Sequence, residues 1–268
     1  MVLSHVFSKK NRALLRELVV TDFKLRYQGS VLGYAWSLLR PLLLFIILYI
    51  VFVKFLRLGV GVEHFPVYLL FGIVIWSFFS EMTTQSLGSI VGRGDLIRKI
   101  RIPRWIIVIS SSLSALLNFA LNLVIVMIFM AINHVDLSRS ILWFPLTLLE
   151  VYVFALGVSL FLSAAFVKYR DVSYIWEVVL QAAFYLTPII YPISIITNIT
   201  LQKLLFLNPV AQAMQDARYS VITHESVTMH QVYGSFMYQL IPIGITLVVL
   251  VGGVLYFKKE SKYFAENI

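Results

Sequence analysis

The 268-residue chain is 60% apolar or aromatic and only 13% charged, with a net charge of +9 and a mean hydropathy of +0.87. Soluble domains are roughly a quarter charged, and the apolar residues here gather in runs near the ~20 that cross a bilayer, so composition predicts an all-α integral membrane protein and excludes a soluble catalytic domain. The chain has no cysteine, which excludes disulfides, thiol nucleophiles and thiolate metal sites.

The N-terminal region is basic but lacks an apolar stretch followed by a small-residue cleavage site, so it does not read as a signal peptide and is expected to stay on the mature chain. Between Asn11 and Tyr27, the residues Leu14, Leu15, Leu18, Val19 and Leu25 share a sector of about 140° on a helical wheel, interrupted by Asp22 and Arg26. This predicts an amphipathic interfacial helix within about the first 30 residues, with Arg12, Arg16, Lys24 and Arg26 available to anionic lipid heads or a partner. Six transmembrane helices are then predicted over about 34–56, 65–90, 105–132, 141–167, 172–197 and 237–257. Pro41 lies in the first, and Thr187-Pro188 and Tyr191-Pro192 break the fifth, because proline removes a donor and disfavours helix in the residue before it.

Six spans put both termini on one side. With the N-terminus inside, 17 of the 22 basic residues fall in the inside segments; only Lys54, Arg57, Arg139, Lys203 and Arg218 fall outside. The asymmetry predicts cytoplasmic termini, and it reads the charge excess as topology rather than as a nucleic-acid signal.

Residues 92–104, between the second and third spans, form a compact basic segment. Asp95 can cap a short helix, Leu96, Ile97 and Ile100 supply apolar contacts, and Pro103 ends it. Its basic residues either obey the inside rule alone or dock a cytoplasmic partner; composition leaves both open.

No Gly-Lys pair occurs, so the chain has no phosphate-binding loop. His224-Glu225 and His230 are spaced i+6 rather than i+4, about 240° apart on a helix, and nominate no metal site. No catalytic group is singled out. Gly29 with Gly33, and Gly88 with Gly92, have close-packing spacing. The acids Glu81, Glu150 and Glu177 lie in or at the edge of spans, where charge is expensive. Bundle pairing or helix-end solvation accounts for them, but Glu81 or Glu150 also fits a proton-coupled carrier or a membrane-embedded enzyme acting on lipid-linked sugars; replacing Glu150 by Gln would abolish activity in either. Tyr49, Phe184 and Tyr185 are aromatic faces on which sugars could stack.

Several segments resemble, in order, the membrane subunits of type-2 ABC exporters, in particular the polysaccharide and polyol-phosphate export permeases. They are Arg26-Tyr-Gln-Gly-Ser-Val-Leu-Gly-Tyr-Ala-Trp36 running into Leu39-Arg-Pro-Leu42; Leu96-Ile-Arg-Lys-Ile-Arg-Ile-Pro-Arg104; Lys168-Tyr-Arg-Asp-Val172; Tyr185-Leu-Thr-Pro-Ile-Ile-Tyr-Pro192; and Leu207-Asn-Pro209. The resemblance implies a homodimer in the bacterial plasma membrane, served by two copies of a separate cytoplasmic ABC ATPase that binds ATP and Mg, so that this chain itself holds no cofactor. It implies coupling through Asp95, Leu96, Ile97, Arg98, Lys99, Arg101 and Arg104, and short external re-entrant gate helices roughly from Pro188 to Leu207. A pathway near Tyr49, Glu81, Phe184, Tyr185, Pro188, Tyr191 and Pro192 would carry a lipid-linked polysaccharide such as O-antigen, capsule or a teichoic-acid-like polymer.

Overall fold

The computed structural model describes residues 9–26, 29–57, 59, 61–99 and 102–267. In chain order the helices are α1 (Lys9–Arg26), α2 (Ala35–Phe55), α3 (Phe65–Ser89), α4 (Gly94–Lys99), α5 (Trp105–Ile132), α6 (Phe144–Lys168), α7 (Val172–Leu186), α8 (Ile199–Phe206), α9 (Pro209–Val221), α10 (Met229–Tyr233), α11 (Leu240–Glu260) and α12 (Phe264–Asn267). The described residues contain no strand. Five segments are long and apolar enough to cross a membrane: Ala35–Phe55, Phe65–Ser89, Trp105–Ile132, Arg139–Lys168 and Phe236–Tyr263. At 15 residues, α7 extends only about 22 Å, short of the ~30 Å hydrocarbon core.

The apolar residues of α3 run all round it, as expected of a buried helix. It lies at the centre, packed on one side by α5 and on the other by α6, and most of its residues from Phe65 to Leu87 are buried. The far side of α6 carries α11, while α2 and α7 lean on the rim. One large core joins α3, α5, α6 and α9; a smaller one, around Ile90, Ile107, Leu160, Phe257 and Phe264, closes the end where α4 lies.

The buried serines of α5 are satisfied locally. Ser110, Ser111, Ser112 and Ser114 of α5 are buried, and each donates to a carbonyl one turn back. Pro41, having no N–H, cannot donate to the carbonyl four residues earlier, at Ser37. Asn122 of α5 fills that role from across the helix pair, its Nδ2 lying 3.3 Å from Ser37 O.

Close packing comes from glycines other than the paired ones singled out by spacing. A Cβ on Gly253 of α11 would sit 2.2 Å from the Gly157 carbonyl oxygen of α6, and one on Gly157 would meet the Leu250 backbone at 2.7 Å. Gly88 and Gly92 have nothing within 4 Å of such a Cβ. Gly29 and Gly33, equally open, instead take positive φ of 81° and 51° in the turn before α2. The helix-packing expectation for these two pairs is therefore corrected: they have the spacing but no facing helix among the described residues.

Candidate functional site

The residues singled out above fall mainly at the two ends of the bundle. At the first, α4 follows α3 through a tight turn, Val91–Arg93. Asp95 lies inside the first turn of α4, where a negative charge suits the helix dipole. Leu96 and Ile97 are half-buried, and Ile97 packs against the small core; Asp95, Arg98 and Lys99 are exposed. Arg101 lies outside the described residues. Arg104, half-buried, donates to the Ser261 carbonyl and lies 6.0 Å from the Phe264 ring centre, tying the segment to the C-terminal helices.

On the same side, α1 packs along α5. Leu14, Leu15, Leu18 and Val19 are half-buried, whereas Arg12, Arg16 and Lys24 are exposed; Arg26 is the last residue of α1. Asp22, which interrupts the apolar sector in sequence, forms an ion pair with Arg93. Arg93 also donates to Ser110 Oγ at 2.9 Å. One arginine thus ties the amphipathic helix, the turn before α4 and the start of α5 together.

Of the pathway residues named from sequence, Phe184 and Tyr185 form an edge-on pair with ring centres 5.3 Å apart. Phe184 also meets Trp76, which belongs with Phe79, Phe154 and Trp176 to an aromatic cluster joining α3, α6 and α7. Tyr185 is exposed. Tyr191 donates its hydroxyl toward the Tyr185 and Leu186 carbonyls, both at 3.3 Å, and Pro188 and Pro192 are buried. Tyr49 stands elsewhere, on α2, with its ring 5.7 Å from that of Phe45. Glu81 faces α5: each carboxylate oxygen accepts from Asn118 Nδ2 at 2.9 Å, and Oε1 also accepts from Gln85 at 2.8 Å. Those amides pair the acid within the bundle.

The opposite end is organised by a residue that sequence reasoning counted only as a loop charge. Helix α7 stops at Leu186 because Thr187 precedes a proline, and the chain turns through Thr187–Ile190, all buried. A turn buried this way needs donors for its carbonyls. Arg218 of α9, fully buried, supplies them: Nη1 donates to Pro188 O at 2.6 Å, Nη2 to Ile189 O at 2.9 Å and Nε to Tyr68 O at 3.2 Å. Its guanidinium carbon lies 3.6 Å from the centre of the Tyr68 ring. Burial draws its pKa below the ordinary value, and Tyr68 opposes that shift. Gly72 makes the fit possible, since a Cβ there would lie 2.0 Å from Nη2. An arginine among the five basic residues outside the basic-rich segments, combined with a proline break needing donors, was the available sequence signal.

Helices α8 and α9 are started by Asn198 and Asn208, whose Oδ1 atoms accept from Thr200 N at 2.9 Å and Val210 N at 3.0 Å, and Thr228 with Gln231 forms a capping box for α10. Ile193, Phe206, Met229 and Val232 give this cap a core of its own. Asp216 of α9 lies on its α6 and α11 side, accepting from Gln212 at 2.6 Å and Gln239 at 3.4 Å. Burial pushes its carboxyl up to about 6, with the Gln212 bond working against the rise.

Apolar helices of spanning length around a buried central helix define a multi-pass, all-α integral membrane protein. Residues 13–222 match the sequence profile of the ABC-2 type transporter family, and the chain belongs to it. It is 30% identical, over 96% of its own length and 97% of the relative's, to an O-antigen export system permease protein RfbA of Klebsiella pneumoniae. A protein of the same name from Myxococcus xanthus is 29% identical, with 96% of each chain covered. The polysialic acid transport protein KpsM of Escherichia coli is 22% identical over 79% of this chain and 82% of the relative. The resemblance read from the sequence motifs to a type-2 ABC exporter permease is thereby met.

Proposed function

We propose that the chain is the membrane-spanning permease subunit of an ATP-driven exporter that moves a lipid-linked polysaccharide outward across a bacterial plasma membrane. The observation that carries this reading is the exposed face of α4, Asp95 with Arg98 and Lys99, held on the bundle by Ile97 and Arg104 and linked to α1 through Arg93, in a chain of the ABC-2 type transporter family. A basic helix fixed this way transmits a push to α3 and α5. The names of the relatives, O-antigen export and polysialic acid transport, support a polysaccharide as cargo.

In this reading the ATP and Mg sites belong to a separate cytoplasmic ATPase present in two copies, and two permease chains enclose the pathway. Both termini face the cytoplasm, following the basic-residue asymmetry. Helix α7 with the turn after it serves as a sixth crossing, and α8 and α9 form the external gate, with Arg218 locking the turn beneath them.

The test is the double charge reversal R98E/K99E, assayed in cells for surface polysaccharide and in purified complex for ATP hydrolysis. Export should collapse while hydrolysis persists uncoupled or falls to the level of the free ATPase. The purified permease alone should hydrolyse no ATP. Full export with this helix charge-reversed would overturn the assignment.

A further inference from the structure

A cavity of about 610 Å³ opens between the starts of α6 and α11, beneath α9 and α10, at the end of the bundle opposite α4. Most of its wall is apolar, supplied by residues such as Leu146, Val153, Ile243 and Leu247. Its polar part includes two acids. Glu150, Asp216, Gln212 and Thr246 line it, and one side-chain oxygen of each is shielded from solvent and has no hydrogen-bond partner. Gln212 and Thr246 are each 3% exposed. Two carboxylic acids, an amide and a hydroxyl side chain thus line one space, and the described lining includes no lysine or arginine.

Unpaired acceptors in a buried site are costly unless a donor occupies it. A metal ion is disfavoured, because no group of three acidic or histidine side chains suited to one gathers among the described residues. A glycan would leave its hydroxyls against the apolar wall. The fit is to an amphiphile with a small cationic, N–H-bearing head and a hydrocarbon tail.

The depth agrees. Glu150 lies six residues into α6 from Phe144 and Thr246 six into α11 from Leu240, each about 9 Å along its helix. That is near the boundary between headgroups and acyl chains if the helices begin at the surface. His230, Tyr219 and Trp143 also line the cavity and carry N–H or O–H groups suited to a phosphodiester.

We propose that this cavity binds one membrane phospholipid bearing a primary ammonium head, such as phosphatidylethanolamine, with the ammonium between Glu150 and Asp216 and a chain along the apolar wall. The assignment goes beyond the transport reading and does not depend on which polymer is exported. A quaternary choline head is the informative competitor, since it carries the same charge but has no N–H to donate to the two carboxylates.

The test is competitive retention. The full chain is purified in mild detergent with equimolar phosphatidylethanolamine, phosphatidylcholine and phosphatidylglycerol, and bound lipid is counted by native mass spectrometry. The wild type should hold phosphatidylethanolamine about tenfold over either competitor, as one or two charge-assisted bonds allow. The E150Q/D216N variant should lose the preference, and T246V should weaken it. The wild-type competition stands even if a variant does not fold. Equal retention of all three lipids by the wild type, retention of a glycan instead, or an undiminished preference in a folded E150Q/D216N protein would overturn the proposal.

Discussion

Replacing Arg218 by methionine keeps the length of the side chain and removes its donors. No main-chain N–H among the described residues donates to Pro188 O or Ile189 O, so both lose their guanidinium partner in a buried turn. Each unpaired buried carbonyl costs about 1–3 kcal/mol, giving roughly 2–6 kcal/mol for the pair. Tyr68 O lies within a helix and loses less. At the middle of that range the thermal midpoint in detergent should fall by about 8–16 °C, and the turn should open. The natural absence of cysteine makes the local effect easy to read. A single cysteine at Ile190, 5% exposed in the native fold, should label slowly in the parent and rapidly beside R218M. R218K should be intermediate, because an ammonium lacks the planar fork that reaches several carbonyls at once. Unchanged melting and unchanged labelling in R218M would refute the idea that this arginine holds the break in place.

Other changes probe the remaining contacts. G253V drives a side chain into the Gly157 carbonyl, a backbone atom that cannot rotate away, and should cost about 1–3 kcal/mol or more; an unchanged melting curve would refute the close crossing. D22R and R93D should each destabilise the α1 attachment, and the exchanged pair should recover part of the loss in a double-mutant cycle. N122A should weaken the bundle by about 1 kcal/mol, and P41A, which restores the N–H aimed at Ser37, should remove most of that penalty. Asp216 has its carboxyl raised from 3.8 to about 6, so the folded state binds its proton more tightly and its contribution to stability falls as pH rises through that window. The wild type should therefore gain melting temperature from pH 7 to pH 5 relative to D216N, and a difference of the opposite sign would contradict the burial of this acid.

The long apolar runs were legible in the sequence because a bilayer imposes a length and composition that few other environments require. The stop at Leu186 was legible too, since proline acts on its immediate neighbour whatever the fold. Contacts that depend on what faces a helix were not. Asp22 looked like a flaw in an apolar stripe until Arg93 stood opposite it. Glycine spacing pointed to Gly88 and Gly92, but the tight crossing uses Gly157 and Gly253, which lie on different helices and form no local pattern. Arg218 was sorted by side of the membrane, a rule that treats a basic residue as a solvated charge; a guanidinium turned inward onto main-chain oxygens lies outside that rule.

The meeting of Gly157 with Gly253 has a mechanical side. Where two backbones touch, sliding one helix past the other forces atoms through one another, so α6 and α11 rotate or translate as a single strut. Helix α7, by contrast, has no buried residue, and α2 has three, Ser37, Pro41 and Phe45. If a load is delivered through α4, as proposed above, it meets one stiff wall and two compliant elements, and the give in the bundle lies at α2 and α7.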